Sequence, residues 1–251
     1  MKCGRKAIMW IALALCLICA VLLALALHSR AEHSKPASKD PEGAIAAQED
    51  EDRTVDVPVD FAAWQERNPD IYAWIEYPGT NVDYPIVQSA EDDAYYLRRD
   101  IDGKEAVAGS LYTEHTYNSK TFDDPVTVIY GHNMANRTMF GGLQSHIEAA
   151  DLAGTEEYFY VYLPGRILTY RVVGGAPGDD AHILYYNDFS DPTGFSNYFG
   201  NLYAQSGGHV NLPGLLRPSP DDRVVILATC MNGEKYLRYL IIGVLTDDTG
   251  N

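Results

Sequence analysis

The sequence is short of thiols. Its 251 residues hold four cysteines, and Cys3, Cys16 and Cys19 all fall within the first twenty positions. Everything after them carries Cys230 alone, so it cannot form an internal disulfide. In an exported protein a leftover thiol either pairs between molecules or reacts. Positive charge is scarce too. Past residue 30 there are 15 Lys and Arg against 35 Asp and Glu, a net of −20. Nucleic-acid binding needs a basic footprint, so no nucleic-acid partner is expected, and the acidity reads as a solubility feature. No internal repeat is present.

The first thirty residues lack acidic side chains, and Ala7 to Leu27 lacks charge altogether. That run of 21 residues matches the roughly 20 a helix needs to cross a bilayer core. Lys2, Arg5 and Lys6 precede it, so the positive-inside rule keeps residues 1–6 in the cytoplasm and places the rest outside. The competing reading is a cleaved signal peptide, with Ala24-Leu25-Ala26 as the cleavage motif; signal peptides have a shorter apolar region, so the length favours a retained single-pass membrane anchor. Cys3, beside the membrane and basic residues, is a candidate for acylation. Residues 28–57 are rich in Ala, Glu, Asp, Pro, Lys and Ser and read as a flexible extracellular stalk. Residues 58–251 form the expected folded domain.

That domain alternates short strands with a few short helices. Asp60 is placed to cap a helix through Phe61 and Trp64. Ile71 to Tyr77 and Val82 to Gln88 read as a hairpin around Pro78-Gly79-Thr80-Asn81. A short helix is expected over 90–99, a strand over 109–113, a strong strand over 126–130 and a helix over 139–146. Tyr158 to Leu163 pairs with Ile167 to Val173. The stretch 174–220 is loop-rich, with one helix over about 194–205, and a connection of that length is usually functional. Arg223 to Cys230 and Tyr236 to Leu245 close the pattern as a hairpin with an Asn-Gly loop. Evenly spread short strands suggest a barrel or a sandwich.

Cys230 ends the apolar run Val224 to Cys230. With residues 231–235 as the loop, Cys230 faces Tyr236, and Arg238 sits diagonally on the same face, about 7–8 Å away. A thiol needs a partner that stabilises the thiolate and later protonates the leaving amine, usually histidine. Of His33, His115, His132, His146, His182 and His209, His132 follows a strand and a glycine, where side chains emerge at a sheet end; His115 is the runner-up. A permanent charge at Arg238 suits an oxyanion.

The stretches Tyr130-Gly131-His132-Asn133-Met134, Leu227-Ala228-Thr229-Cys230 and Arg238-Tyr239-Leu240 resemble the three signatures of sortases, the cysteine transpeptidases of Gram-positive cell surfaces. Residues 68–75, 83–88 and 139–143 are similar to the class B branch, and the likeness spans about 58–247. It implies a mainly β fold, an eight-stranded sortase β-barrel with a few short helices, behind one transmembrane helix. It implies that Cys230 attacks a Thr-Gly-type bond in the carboxy-terminal sorting signal of a surface protein. The thioacyl intermediate is then resolved by an amine of lipid II or peptidoglycan. His132 would be the acid and base, and Arg238 would hold the substrate backbone and oxyanion. Asn118, Thr229, Tyr185, Tyr186 and Asn187 are the expected substrate contacts. No cofactor and no metal are implied. Two departures stand out: Glu114 to Asn118 keeps only the asparagine of an Asp-x-Arg-Asn-like pattern, and Ala228 replaces a frequent serine. The alternatives are a pilin-polymerising sortase that uses a lysine amine and a cell-wall cysteine peptidase.

Overall fold

The computed structural model describes residues 55–250 apart from 235. The expected basic end, the membrane span and nearly all of the stalk lie outside them. Among the described residues no helix is long and apolar enough to cross a membrane.

Eight strands close on themselves. They are β1 (Ile71–Tyr77), β2 (Val82–Val87), β3 (Leu111–Tyr112), β4 (Val126–Tyr130), β5 (Tyr158–Leu163), β6 (Arg166–Asp179), β7 (Val224–Cys230) and β8 (Leu237–Asp248). Their order around the barrel is β1-β2-β3-β4-β7-β8-β6-β5, and β5 pairs back onto β1. Closure removes the free edges that a sandwich would leave, which decides between the two architectures the strand pattern allows. The pairings β2–β3 and β4–β7 are parallel. A parallel pair needs a long crossover, and the one from β4 to β7 holds helix α2 (Leu143–Ala149), strands β5 and β6, and helices α3 (Ile183–Tyr186) and α4 (Pro192–Tyr203). Helix α1 (Phe61–Arg67) precedes the barrel, with Asp60 accepting a bond from the Ala63 N–H at 3.1 Å, the capping that its position predicts.

The apolar run of β7 has a direct structural cause. Val225 and Leu227 point into the barrel with Ile129, Tyr239, Ile241, Phe159 and Phe140. Val224, Ile226 and Ala228 point outward under Ile183, Phe195, Phe199 and Leu202 of the β6–β7 connection. A strand buried on both faces loses the alternation of a half-exposed one. Phe195 and Phe199 are fully buried, and each such side chain contributes about 1.5–3 kcal/mol by leaving water. The connection is therefore packed against the barrel as a second layer.

Three elements differ from expectation, each for a backbone reason. The helix over 90–99 contracts to one 3₁₀ turn, Tyr95–Arg98. The helix over 139–146 starts only at Leu143, because Arg137, Met139 and Gly142 have positive φ, where a right-handed helix cannot propagate. The stretch after Val173 is not yet loop. A bulge between Val172 and Gly174 resets the register, and β6 then continues opposite β8 to the pair Asp179↔Leu237. Gly174, Gly175, Pro177 and Gly178 hide that extension, since glycine and proline normally interrupt strands.

One end of the barrel is fastened by charge. Arg166 at the start of β6 grips Asp248 at the end of β8 through two bonds of 2.8 and 2.7 Å. Arg223, just before β7, adds a third at 2.8 Å. Both arginines also reach Asp123 at 2.9 Å. The hydrogen bond from Arg166, aided by Arg223 and opposed by burial, holds the Asp248 carboxyl well below the usual carboxylate range.

Candidate active site

The opposite end of this sector carries Cys230, which is free and exposed. It is the last residue of β7, and its partner on β8 is Arg238, directly across the ladder. The loop differs from the expected one. The Met231 N–H donates to the Leu237 carbonyl at 3.1 Å, which shifts the register by two residues and replaces Tyr236 by Arg238 opposite the thiol. A two-residue shift leaves every side chain on its original face, so the guanidinium moves from diagonal to adjacent. On the other side of β8, Arg238 pairs with Gly178, which offers no side chain.

Among the described residues Arg238 donates only to its neighbour's carbonyl, Leu237 O, at 3.4 Å. No carboxylate lies within ion-pair distance of it among the described residues. A half-buried cation without an anion favours any negative charge that forms beside it.

His132 follows β4 through Gly131. A Cβ at 131 would lie 2.4 Å from Leu111 Cδ2 and 2.6 Å from Phe140 Cδ2, so the chain makes this turn only with glycine. The ring Nε2 is 2.7 Å from the carbonyl oxygen of Leu97, in the segment after β2. A carbonyl only accepts, so Nε2 carries a proton and Nδ1 is the nitrogen open to exchange.

The remaining described histidines are occupied elsewhere. His115 pairs with Asp93 at 2.6 Å, His146 with Glu157 at 3.0 Å, His182 with Glu114 at 3.0 Å and His209 with Glu148 at 2.8 Å. Among the described residues His132 is the histidine that meets no carboxylate, and it shares a groove of about 220 Å³ with Cys230 and Arg238. His115 does not line that groove.

Leu97 lines the groove, as do Asp179 to Ile183, from the end of β6 and the start of α3. Glu114 lines it too, with His182 Nε2 against its carboxylate and a hydrogen bond from Tyr130. Burial pushes the Glu114 carboxyl up, and His182 and Tyr130 oppose that shift. His182 also caps α3, its Nδ1 accepting from the Tyr185 N–H at 3.1 Å, which leaves its own proton on Nε2, facing Glu114. With Asp179 and Asp180 the groove wall is acidic, and Arg238 is its cation.

The expected substrate contacts separate. Thr229 lines the groove, though its hydroxyl is buried without a hydrogen-bond partner. Asn118 does not line it. It is buried, its amide donating to the Val126 carbonyl at 2.8 Å and accepting from the Val128 N–H at 3.0 Å, so both ends are spent on β4. Tyr185, Tyr186 and Asn187 line neighbouring clefts instead. The two tyrosines are 66% and 71% exposed, and Asn187 is the C-cap of α3, bonded to the Ile183 carbonyl at 2.8 Å. His182 is foreseen only among the candidate bases, and Glu114 and the Leu97 carbonyl have no expected place at the groove. Glu114 was visible as the departure from the Asp-x-Arg-Asn-like pattern; a backbone carbonyl leaves no mark in a sequence.

No protein-family model matches the chain. It is 30% identical over 174 residues to sortase B of Listeria monocytogenes serovar 1/2a (strain ATCC BAA-679 / EGD-e), covering 68% of this chain and 67% of that protein. Its fold superposes on the crystal structure of Clostridium perfringens sortase B with a TM-score of 0.62 and 24% identity, over 74% of this chain and all of that one. The same score, at 19% identity, relates it to the substrate complex of Staphylococcus aureus sortase B, over 74% of this chain and 84% of that one. With this likeness of sequence and barrel, the chain belongs to the sortase B family of cysteine transpeptidases.

Proposed function

We propose that the protein attaches surface proteins to the cell wall from a membrane-anchored position, with Cys230 as nucleophile, His132 as acid and base, and Arg238 as the oxyanion and backbone clamp. The observation that carries this reading is the direct pairing of Cys230 with an unpaired Arg238 in a groove that also receives His132.

In the first half-reaction Nδ1 of His132 takes the Cys230 thiol proton, and the resulting thiolate sulfur bonds to the carbonyl carbon of the threonine in a Thr-Gly-type bond. The carbonyl oxygen takes up the electron pair beside the Arg238 guanidinium. As the C–N bond breaks, His132 delivers a proton to the departing amine, and a thioester remains on Cys230. In the second half an amine of lipid II or peptidoglycan attacks that thioester. His132 takes the proton from the amine, and the sulfur leaves as thiolate. The uncharged 7–27 segment and the basic residues before it support a single-pass anchor with this domain outside the cell.

The test is mass spectrometry of the full chain mixed with a library of sorting-signal peptides containing Thr-Gly-type bonds. A peptide-sized thioester adduct on Cys230, absent in Cys230→Ala and discharged by an added amine, is the expected result. Undiminished peptide cleavage by Cys230→Ala would overturn the mechanism.

A further inference from the structure

The β4–β7 ladder stops short of the thiol. In a parallel pair, alternate N–H groups of one strand bond to alternate carbonyls of the other. The last such bond from β4 runs from the Gly131 N–H to the Ala228 carbonyl at 3.1 Å. The next in the series would join the backbone N–H of residue 133 to the carbonyl of Cys230. The chain has turned away by then, and Asn133 instead forms an isolated bridge with Met139. The Cys230 carbonyl is not left vacant. The side-chain amide of Asn133 donates to it at 2.8 Å. Its nitrogen is also 3.0 Å from Asn232 Oδ1, so both hydrogens of the amide are used.

The tie continues into the fold. The Asn232 N–H donates to Gln144 Oε1 at 3.1 Å. Gln144 is buried on α2, and its amide donates to Glu148 Oε1 at 2.8 Å. The segment after Cys230 is thus bonded to the segment after β4 and to a helix packed on the barrel.

We infer that Asn133 is a positioning residue for the thiol: its amide replaces the missing ladder bond and locks the Cys230 backbone to the segment that carries His132. This rests on the reading of Cys230 and His132 as the reacting pair. The two are adjacent to bonded atoms of the same link, since His132 precedes Asn133 and the Cys230 carbonyl receives its amide. The link holds the separation of sulfur and imidazole without touching the substrate. Misplacement of a reacting group by about 1 Å costs on the order of 100-fold in rate, and that cost falls on the chemical step. Asn232 and Gln144 back up the link by holding the acceptor loop in place.

The experiment compares full-length wild type with Asn133→Ala, Asn133→Asp, Asn232→Ala and Cys230→Ala, using the thioacyl-forming peptide selected above. Asn133→Ala should lower kcat by about 10–100-fold with KM within about twofold of wild type. In Asn133→Asp an ionised carboxylate would face two acceptor oxygens, the Cys230 carbonyl and Asn232 Oδ1. Its kcat relative to wild type should therefore recover as pH falls and the carboxyl gains a proton to donate. A role in folding alone would give no such pH-dependent recovery. Asn232→Ala, in an exposed loop, keeps the test open if Asn133→Ala melts early; it should lose about 3–10-fold in kcat by relaxing the network. A wild-type kcat in Asn133→Ala, a loss confined to KM, or a ratio for Asn133→Asp that is flat with pH would each overturn the inference. Activity in Cys230→Ala would overturn the underlying reading instead, so the two failures are distinct.

Discussion

His132 Nε2 donates to the carbonyl oxygen of Leu97 at 2.7 Å. The two residues are brought together by the parallel return of the chain between β2 and β3, and their contact settles which ring nitrogen is held and which is free. Removing the ring should stop turnover. His132→Ala is expected to lower kcat/KM by about 100-fold or more, in line with acid–base contributions of about 10²–10⁴. His115→Ala, whose ring is paired with Asp93 outside the groove, should stay within about threefold of wild type on the same scale. Steady-state peptide cleavage separates the two, and an exchange of these results would assign the base to His115.

Arg238→Lys keeps the charge and loses the planar fork. Lysine is a compact, strongly hydrated point charge and cannot present two parallel donors to a carbonyl and an oxyanion. A loss of about 100-fold in kcat is expected, the size seen when one oxyanion donor is removed. Wild-type turnover would show that charge alone suffices beside Cys230.

Asn118→Ala should act on stability and leave catalysis intact. It leaves the Val126 carbonyl and the Val128 N–H without the partners they now have in a buried site. An orphaned buried polar group costs about 1–3 kcal/mol, so the variant should lose about 2–4 kcal/mol in denaturant unfolding. Peptide cleavage by the folded fraction should keep its KM. A raised KM with unchanged stability would return Asn118 to the substrate groove.

Asp248→Asn probes the far end of the barrel through pH. The folded-state carboxyl of Asp248 lies below its unfolded value, with the Arg166 hydrogen bond as the main cause. A depressed carboxylate contributes stability above the unfolded pKa, near 3.9, and that contribution disappears as pH falls through the folded value. The side chain is 7% exposed, and breaking a buried pair costs about 3–5 kcal/mol. The variant should therefore melt about 6–20 °C below wild type at neutral pH, at about 2–4 °C per kcal/mol. The gap should close below about pH 4. A gap that persists undiminished in acid would exclude the ion-pair cluster as its source.

The legible parts of the fold are those where one periodicity dominates. Val126 to Tyr130 and Val224 to Cys230 read as strands because both of their faces are buried, and the hairpin at Pro78 to Asn81 reads from its turn residues. The continuation of β6 through Gly174, Gly175 and Gly178 was not legible, since the sheet overrides the local preference of residues that end strands elsewhere. The start of α2 was misplaced because Met139 adopts a left-handed conformation that nothing in its side chain demands. At the site, Cys230, His132 and Arg238, the side chains proposed to carry the chemistry, are readable by type and place, and the structure brings them to one groove. Their register was not, because it depends on one backbone bond, from Met231 to Leu237. Tyr185 and Tyr186 are expected at the groove only through the family resemblance, whereas Asp179 to Ile183 line the groove beside Cys230.

The placement of β7 between β4 and β8 has a consequence for a chain made from its amino end. His132 and its strand are synthesised about a hundred residues before Cys230. Until β7 arrives, β4 has an unfilled parallel edge, the slow and association-prone kind of pairing. The thiol arrives next, but Arg238 comes only with β8, which must bond to both β7 and β6 before the barrel is shut. A nascent or truncated chain lacking Leu237 to Asp248 thus has the cysteine but neither Arg238 nor a shut barrel, so the pairing of thiol and guanidinium is the last part of the groove to be assembled.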